Sequence, residues 1–251
     1  MFSLKGKTAL ITGSSRGLGL TIARGLGKAG AKIILNGRNK ESLIQAQKIC
    51  MKNGITTNYS VFDVFDENQV RDEINRIEKE SGGIDILVNN AGIHKRKLLV
   101  EMTLEEWKSV LDVNLTGAFI TAREVVKGMI ERKTGKIINI CSLMSEVGRE
   151  TTGNYTASKG GLKMLTKAMA VEWAKYNIQV NGIGPGYFLT ELTKPLAENP
   201  EFNSWLTKRT PAGRWGDPQE LIGTAVFLAS EASDFINGQI IYVDGGFLAS
   251  V

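Results

Sequence analysis

Short runs of apolar residues alternate along the chain with longer stretches in which apolar positions recur every three or four residues. The short runs fall at Thr8–Thr12, Lys32–Asn36, Asn58–Phe62, Ile84–Asn89, Lys136–Ile140, Ile178–Ile183 and Gln239–Val243. Most of them are continuously apolar, the pattern of strands covered on both faces. The longer stretches lie near 17–29, 40–53, 67–81, 105–132, 154–176 and 217–230, where spacings such as Val70, Ile74 and Ile77 predict helices. Strand–helix alternation predicts right-handed βαβ units, and so an α/β fold: one domain over residues 1–251, with a doubly wound, mostly parallel seven-stranded sheet flanked by helices. Such sheets bind ligands beyond the carboxyl ends of their strands. The segment 187–216 breaks the rhythm and reads as an insertion of short helices able to cover a site.

Composition narrows the function classes. In 251 residues, 42% hydrophobic and 23% charged content is that of a folded globular chain, not a disordered one. Two cysteines, Cys50 and Cys141, make no disulfide scaffold. No stretch reaches the ~18 apolar residues of a membrane span, and the N-terminus meets a glycine turn too soon for a secretory leader. A cytoplasmic protein is expected, with no membrane partner. Thirty-one Lys and Arg against 26 Asp and Glu give a net charge of +5. That balance fits nucleic acid, an anionic surface or small acidic ligands. No aromatic-interleaved basic stripe or nucleic-acid motif is present, which leaves the small acidic ligand.

The first apolar run leads straight into Thr12-Gly13-Ser14-Ser15-Arg16-Gly17-Leu18-Gly19 and a helical pattern. Glycines let a backbone turn sharply and approach a pyrophosphate, and a helix N-terminus offers unpaired N–H groups to it. The spacing G-x-x-x-G-x-G is also compatible with a tight ligand-free turn. Its context, strand then helix, points to a Rossmann dinucleotide site. The second run ends in Asn36-Gly37-Arg38, with no acid to hold a ribose 2′-hydroxyl. Arg38, with Arg16 from the turn, suits a 2′-phosphate, so NADP(H) is expected to be preferred and NAD(H) possible.

Tyr155 and Lys159 stand at i and i+4 of a helical pattern and share a face. A nearby ammonium favours a phenolate, which makes the pair a proton-transfer group for alcohol–carbonyl interconversion. Ser142 follows the fifth strand, where it could hold a substrate oxygen, and Asn114 lies within a helical run. Taken singly, each is compatible with an ordinary structural role. The lone His94 has no Cys or His partner at ligand spacing, so no metal site is expected.

Taken together, the Thr12–Gly19 turn, Asp63, Asn89-Asn90-Ala91-Gly92, Asn114, Ser142, Tyr155 with Lys159, and Pro185-Gly186 resemble the classical short-chain dehydrogenase/reductases over essentially the whole chain. The resemblance implies a hydride-transferring oxidoreductase. In it Tyr155 is the general acid/base, Ser142 orients the substrate oxygen, Lys159 lowers the tyrosine pKa and bonds the nicotinamide ribose, and Asn114 holds a water. It also implies a cofactor site of Gly13, Ser15, Arg16, Gly17, Leu18, Gly19, Asn36, Arg38, Asp63, Val64, Asn90, Ala91, Gly92, Tyr155, Lys159, Pro185, Gly186, Phe188 and Thr190. Family members are usually homotetramers.

Within the family, Ile138–Glu150, Asn181–Phe188 and Lys208–Pro218 resemble gluconate 5-dehydrogenases, as does a basic pair after Gly92, here Lys95-Arg96. This implies NADP(H)-dependent interconversion of D-gluconate and 5-keto-D-gluconate. A sugar acid needs a cation, and Arg is suited to a carboxylate. Arg96 is the first candidate, then Arg149, with Glu146 and Asn154 for hydroxyls. The alternatives are a 2-deoxy- or 3-deoxy-gluconate dehydrogenase, a 3-oxoacyl-carrier-protein reductase, and a nucleotide-binding regulator without turnover.

Overall fold

The computed structural model describes residues 1–191 and 193–250. Strands β1 (Thr8–Ile11), β2 (Lys32–Gly37), β3 (Thr57–Val61), β4 (Ile86–Asn89), β5 (Gly135–Ile140), β6 (Ile178–Pro185) and β7 (Ile240–Val243) form one sheet in the order β3-β2-β1-β4-β5-β6-β7. Every pairing is parallel. The helices are α1 (Gly17–Lys28), α2 (Lys40–Lys52), α3 (Glu67–Ser81), α4 (Leu104–Leu111), α5 (Gly117–Arg132), α6 (Gly153–Trp173), α7 (Lys194–Ala197), α8 (Pro200–Arg209) and α9 (Ile222–Ala229).

The register explains the uninterrupted apolar strands. Ala9 lies level with Ile33 and Ile86, and these three join a buried cluster with Ile22 and Leu26 of α1, Leu43 of α2 and Leu228 of α9. One residue on, Leu10, Ile34, Leu87 and Ile137 turn to the opposite face, against Ile74 of α3, Val125 of α5 and Met169 of α6. Successive side chains of a strand point to opposite faces, so a sheet covered on both sides needs apolar residues at every position.

Two predicted helices are broken by identifiable devices. The run 105–132 divides into α4 and α5 around a wide π-turn, Asp112–Thr116. The run 217–230 opens as a 3₁₀ turn at Pro218–Leu221, capped by Asp217 and Glu220, before α9 begins. The segment 187–216 carries α7 and α8, and its aromatic residues Tyr187, Phe202, Trp205 and Trp215 pack on one another and on Phe247. Among the described residues no helix is long and apolar enough to cross a membrane. Connections run outward in opposite directions from the adjacent central strands β1 and β4, leaving a crevice at their carboxyl ends.

Candidate active site

The turn after β1 is braced against the chain after β4. Thr12 Oγ1 accepts from the backbone N–H groups of Asn90 and Ala91, each at 3.0 Å. The Asn90 amide donates back to the carbonyls of Thr12 and Gly13, each at 2.9 Å. This contact dictates two glycines: a Cβ at Gly13 would lie 2.7 Å from Ala91 Cα, and one at Gly19 would lie 2.4 Å from Asn90 Nδ2. Gly17 is required for a different reason. Its φ of +57° is left-handed, and the space its Cβ would occupy is open to 4 Å.

The open space sits over an N-terminus suited to an anion. Asn39, Asp66 and Thr103 cap α2, α3 and α4, whereas α1 has no side-chain cap and no acid in its first turn. Its first N–H groups and dipole end therefore remain available, with exposed Arg16 at the entrance. These features fit the pyrophosphate of a dinucleotide. Arg38, 70% exposed, approaches Asp63 at 3.5 Å, a separation and exposure at which an ion pair is weak and easily exchanged. Asp63 Oδ1 also accepts from Phe65 N, and Val64 is buried against Gly117.

The structure gives Asn36 an internal task. Its amide donates to the carbonyls of Ser60 and Phe62, and its Oδ1 accepts from Gly13 N, so the side chain ties the glycine turn to β3. Ser15 and Leu18 lie in the turn itself, while Gly92 follows β4 beside the Asn114 side chain. On the far side of the crevice, Gly186 packs against Asp244, where a Cβ would approach Cα to 2.7 Å. Phe188 is buried against Gly216, and the Thr190 hydroxyl meets that of Thr193. Because every strand is parallel, these residues, Pro185 included, come together along the carboxyl edge of the sheet.

The proton-transfer group lies across the crevice from the turn. Lys159 is 4% exposed, and its Nζ donates to the Ile140 carbonyl at 2.6 Å and stands 5.6 Å from the centre of the Tyr155 ring. Burial pushes its ammonium down to about 8. Burial also raises the Tyr155 phenol above its ordinary value, and the nearby Ser142 hydroxyl offsets this only in part. The sequence expectation has Lys159 lower the tyrosine pKa; in this structure burial of the phenol acts in the opposite direction. Ser142 accepts from Met144 N at the head of the turn after β5.

Asn114 occupies the π-turn, which aims its side chain inward, where it is 1% exposed. Its amide donates to the Ile93 carbonyl and to Ser158 Oγ, and its Oδ1 accepts from Ile93 N. π-turns inside helices recur at functional sites, and this one fixes the loop after Gly92. Asn154 holds the same loop by donating to the Lys95 carbonyl. It acts as a brace, not as a free hydroxyl reader.

The loop so held presents His94 and Arg96. The His94 ring stacks on Tyr155 at 4.5 Å. Arg96 lies close enough to Arg149 for burial and the second guanidinium to lower its basicity. Among the described residues neither arginine has an ion-pair partner. Arg149 is fixed instead by the rings of Phe202 and Trp205, at 4.4 and 5.6 Å, and by the Tyr187 hydroxyl. Glu146 does not join them. Both of its oxygens receive Lys163, and Oε1 also receives the Tyr242 hydroxyl, so it braces α6 to β7 and is not free for a substrate. Sequence reasoning missed His94 as a site residue, along with Ser158 and the Ile140 carbonyl.

The family model described as enoyl-(acyl carrier protein) reductase matches residues 13–248. The chain belongs to the short-chain dehydrogenase/reductase family. It is therefore an NAD(P)-dependent oxidoreductase. Curated relatives include a 2-dehydro-3-deoxy-D-gluconate 5-dehydrogenase of Formosa agariphila, 54% identical over 100% of this chain and 96% of the relative. A 5-keto-D-gluconate 5-reductase of Escherichia coli is 53% identical over 100% and 99%. Among solved structures, a gluconate 5-dehydrogenase from Burkholderia cenocepacia in complex with NADP and tartrate superposes with a TM-score of 0.97. It is 51% identical, with 100% of this chain and 98% of that one covered.

Proposed function

We propose that this dehydrogenase interconverts D-gluconate and 5-keto-D-gluconate with NADP(H) as its preferred cofactor. The observation that carries the substrate class is the Arg96–Arg149 pair: two guanidinium groups that repel one another and have no carboxylate partner among the described residues, Arg96 lying two residues beyond His94, which stacks on Tyr155. Two neighbouring like charges are stabilised by an anion that bonds both, and a sugar-acid carboxylate is such an anion. The Burkholderia relative supports this reading, because the tartrate in its complex is itself a hydroxy acid.

In this assignment the N–H groups of Gly17, Leu18 and Gly19 take the pyrophosphate, together with Gly13 and Ser15. Arg16 and Arg38 meet the 2′-phosphate. Asp63 and Val64 meet the adenine, Asn90, Ala91 and Gly92 line the cofactor, and Pro185, Gly186, Phe188 and Thr190 hold its nicotinamide end. The bound nicotinamide donates or accepts the hydride. Ser142 and Tyr155 bond the reacting oxygen. In reduction the Tyr155 hydroxyl, kept protonated by burial, gives its proton to the developing alkoxide. In oxidation the phenolate takes that proton back. Lys159, still mostly an ammonium near neutral pH, would bond a ribose hydroxyl of the cofactor and stabilise the phenolate.

A 3-deoxy sugar acid oxidised at the same carbon is the second reading, favoured by the Formosa relative. Both substrates present a carboxylate at one end and an alcohol near the other. We further place the enzyme in the cytoplasm as a homotetramer. The two cysteines are free and buried, and Phe119 of α5 with Met164 and Val171 of α6 leaves apolar surface exposed. The test is a panel of D-gluconate, 2-dehydro-3-deoxy-D-gluconate, a neutral hexitol and an acetoacetyl thioester. Turnover of either sugar acid well above the other two supports the reading. Preference for the thioester or the hexitol refutes it.

A further inference from the structure

His94 has chemistry that neither the proton transfer nor the carboxylate site uses. It is the only histidine of the chain. Its ring stacks on Tyr155 with centroids 4.5 Å apart and planes inclined by 29°. Among the described residues no hydrogen bond reaches either ring nitrogen; Nε2 is sealed from solvent, whereas Nδ1 is not. The unpaired Nδ1, on a ring stacked against the catalytic tyrosine, is available to a hydroxyl of a bound molecule.

The loop that carries it is held tightly. Ile93 is clamped through both its N–H and its carbonyl by Asn114, the Lys95 carbonyl is held by Asn154, Lys97 N donates to the Thr151 carbonyl, and Lys97 Nζ meets Glu106. The imidazole is therefore placed with little freedom, between the catalytic ring and the arginine pair. Burial, with Arg96 and Arg149 adding repulsion, pushes its pKa down to about 4, so it is neutral wherever the enzyme would work. A neutral imidazole offers one donor and one acceptor and adds no third positive charge to the carboxylate site. Those are the properties needed to read a hydroxyl.

We infer that His94 is a specificity-determining residue, whose open Nδ1 hydrogen-bonds a substrate hydroxyl next to the reacting carbon while its ring face holds Tyr155 in line. This rests on the sugar-acid reading above. It explains how a polyhydroxy acid is told from a simple acid carrying the same carboxylate: a site built to bond a hydroxyl rejects the analogue that lacks it, because its polar group stays unpaired.

The test uses the single imidazole as its own reporter. The wild-type enzyme, labelled with ¹⁵N-histidine and saturated with NADPH, is titrated with D-gluconate, a pair that cannot react, and separately with hexanoate. The ring nitrogen resonances are expected to move with gluconate and to stay in place with hexanoate. In parallel, His94→Phe keeps the stacked ring but not the hydrogen bond. It should raise KM for D-gluconate about tenfold, the effect of removing one neutral hydrogen bond, with kcat within about threefold. His94→Gln keeps a hydrogen-bonding group without the ring face, so it should hold KM within about threefold and lower kcat. A merely structural role would move both parameters and the melting temperature together in both variants. If the wild-type enzyme turns over gluconate but the resonances do not respond, or His94→Phe leaves KM unchanged, the inference fails and the substrate reading stands. If the wild-type enzyme turns over neither sugar acid, the reading fails and takes the inference with it. If His94→Phe does not fold, the wild-type titration decides alone.

Discussion

Replacing Lys159 with methionine is expected to remove activity and, at the same time, to stabilise the fold. The ammonium is buried with one hydrogen bond among the described residues, to the Ile140 carbonyl, and its pKa falls from 10.5 to about 8. At about 1.4 kcal/mol per pKa unit, the charged form is disfavoured in the fold by roughly 3 kcal/mol near neutral pH. The sign follows from proton linkage. The unfolded chain holds this proton more tightly, so the penalty is complete below the folded value of about 8 and fades as pH rises toward 10.5. Methionine removes the penalty and fills similar volume, but it strands the Ile140 carbonyl, which costs about 1–2 kcal/mol. A net gain of about 1–2 kcal/mol near neutrality remains, shrinking to nothing by about pH 9.5. Denaturant unfolding of both proteins without cofactor, near neutral pH and again at alkaline pH, measures it directly. A variant less stable than wild type near neutrality, or one whose advantage does not change with pH, would refute the reasoning.

Other expectations follow from the same geometry. Arg96→Met should raise KM for D-gluconate at least about tenfold while leaving a neutral polyol's KM unchanged, since it removes a charged hydrogen bond from carboxylate binding. Steady-state kinetics on both substrates decide it, and equal effects would move the carboxylate elsewhere. Substituting Arg16 and Arg38 together with alanine should lower kcat/KM for NADPH by about 10- to 100-fold and spare NADH, as loss of charge-assisted phosphate bonds requires. Parallel losses with both cofactors would show that the arginines face something other than the 2′-phosphate. Because burial raises the Tyr155 phenol, its acid form dominates near neutrality. Alcohol oxidation should then accelerate as pH rises, while ketone reduction holds through neutrality and declines in alkali. Rate–pH profiles in the two directions check this, and an oxidation rate that falls toward alkaline pH would contradict it.

Much of the molecule was legible in the sequence because its signals are local. Uninterrupted apolar runs such as Ile86–Val88 report two covered faces, and Gly13, Gly17 and Gly19 report a backbone that must turn and be approached. Tyr155 and Lys159 share a helix face by spacing alone. What sequence reasoning missed depends on contacts between distant segments. The π-turn that directs Asn114 inward follows from its three bonds to Ile93 and Ser158, 21 and 44 residues away, and no periodicity announces it. Asn36 and Glu146 have the right chemistry for ligands, yet each is spent on packing partners from other strands and helices. His94 drew attention only as an isolated potential metal ligand. Its role comes from folding onto Tyr155, 61 residues on, a stacking that spacing does not reveal. Burial of the Tyr155 phenol acts against the lowering expected from Lys159, and burial is a property of the assembled site and not of the pair.

The most direct measurement of the central claim is NADPH consumption with 5-keto-D-gluconate, for the wild-type enzyme beside Tyr155→Phe, with NADPH binding followed by fluorescence in both. The account predicts rapid wild-type turnover to gluconate. In the variant it predicts a fall of about 100- to 10,000-fold, the range that general acid–base groups supply, with cofactor binding intact. A variant that retains the wild-type rate, or a wild-type enzyme that leaves the keto acid untouched while binding NADPH, would contradict it.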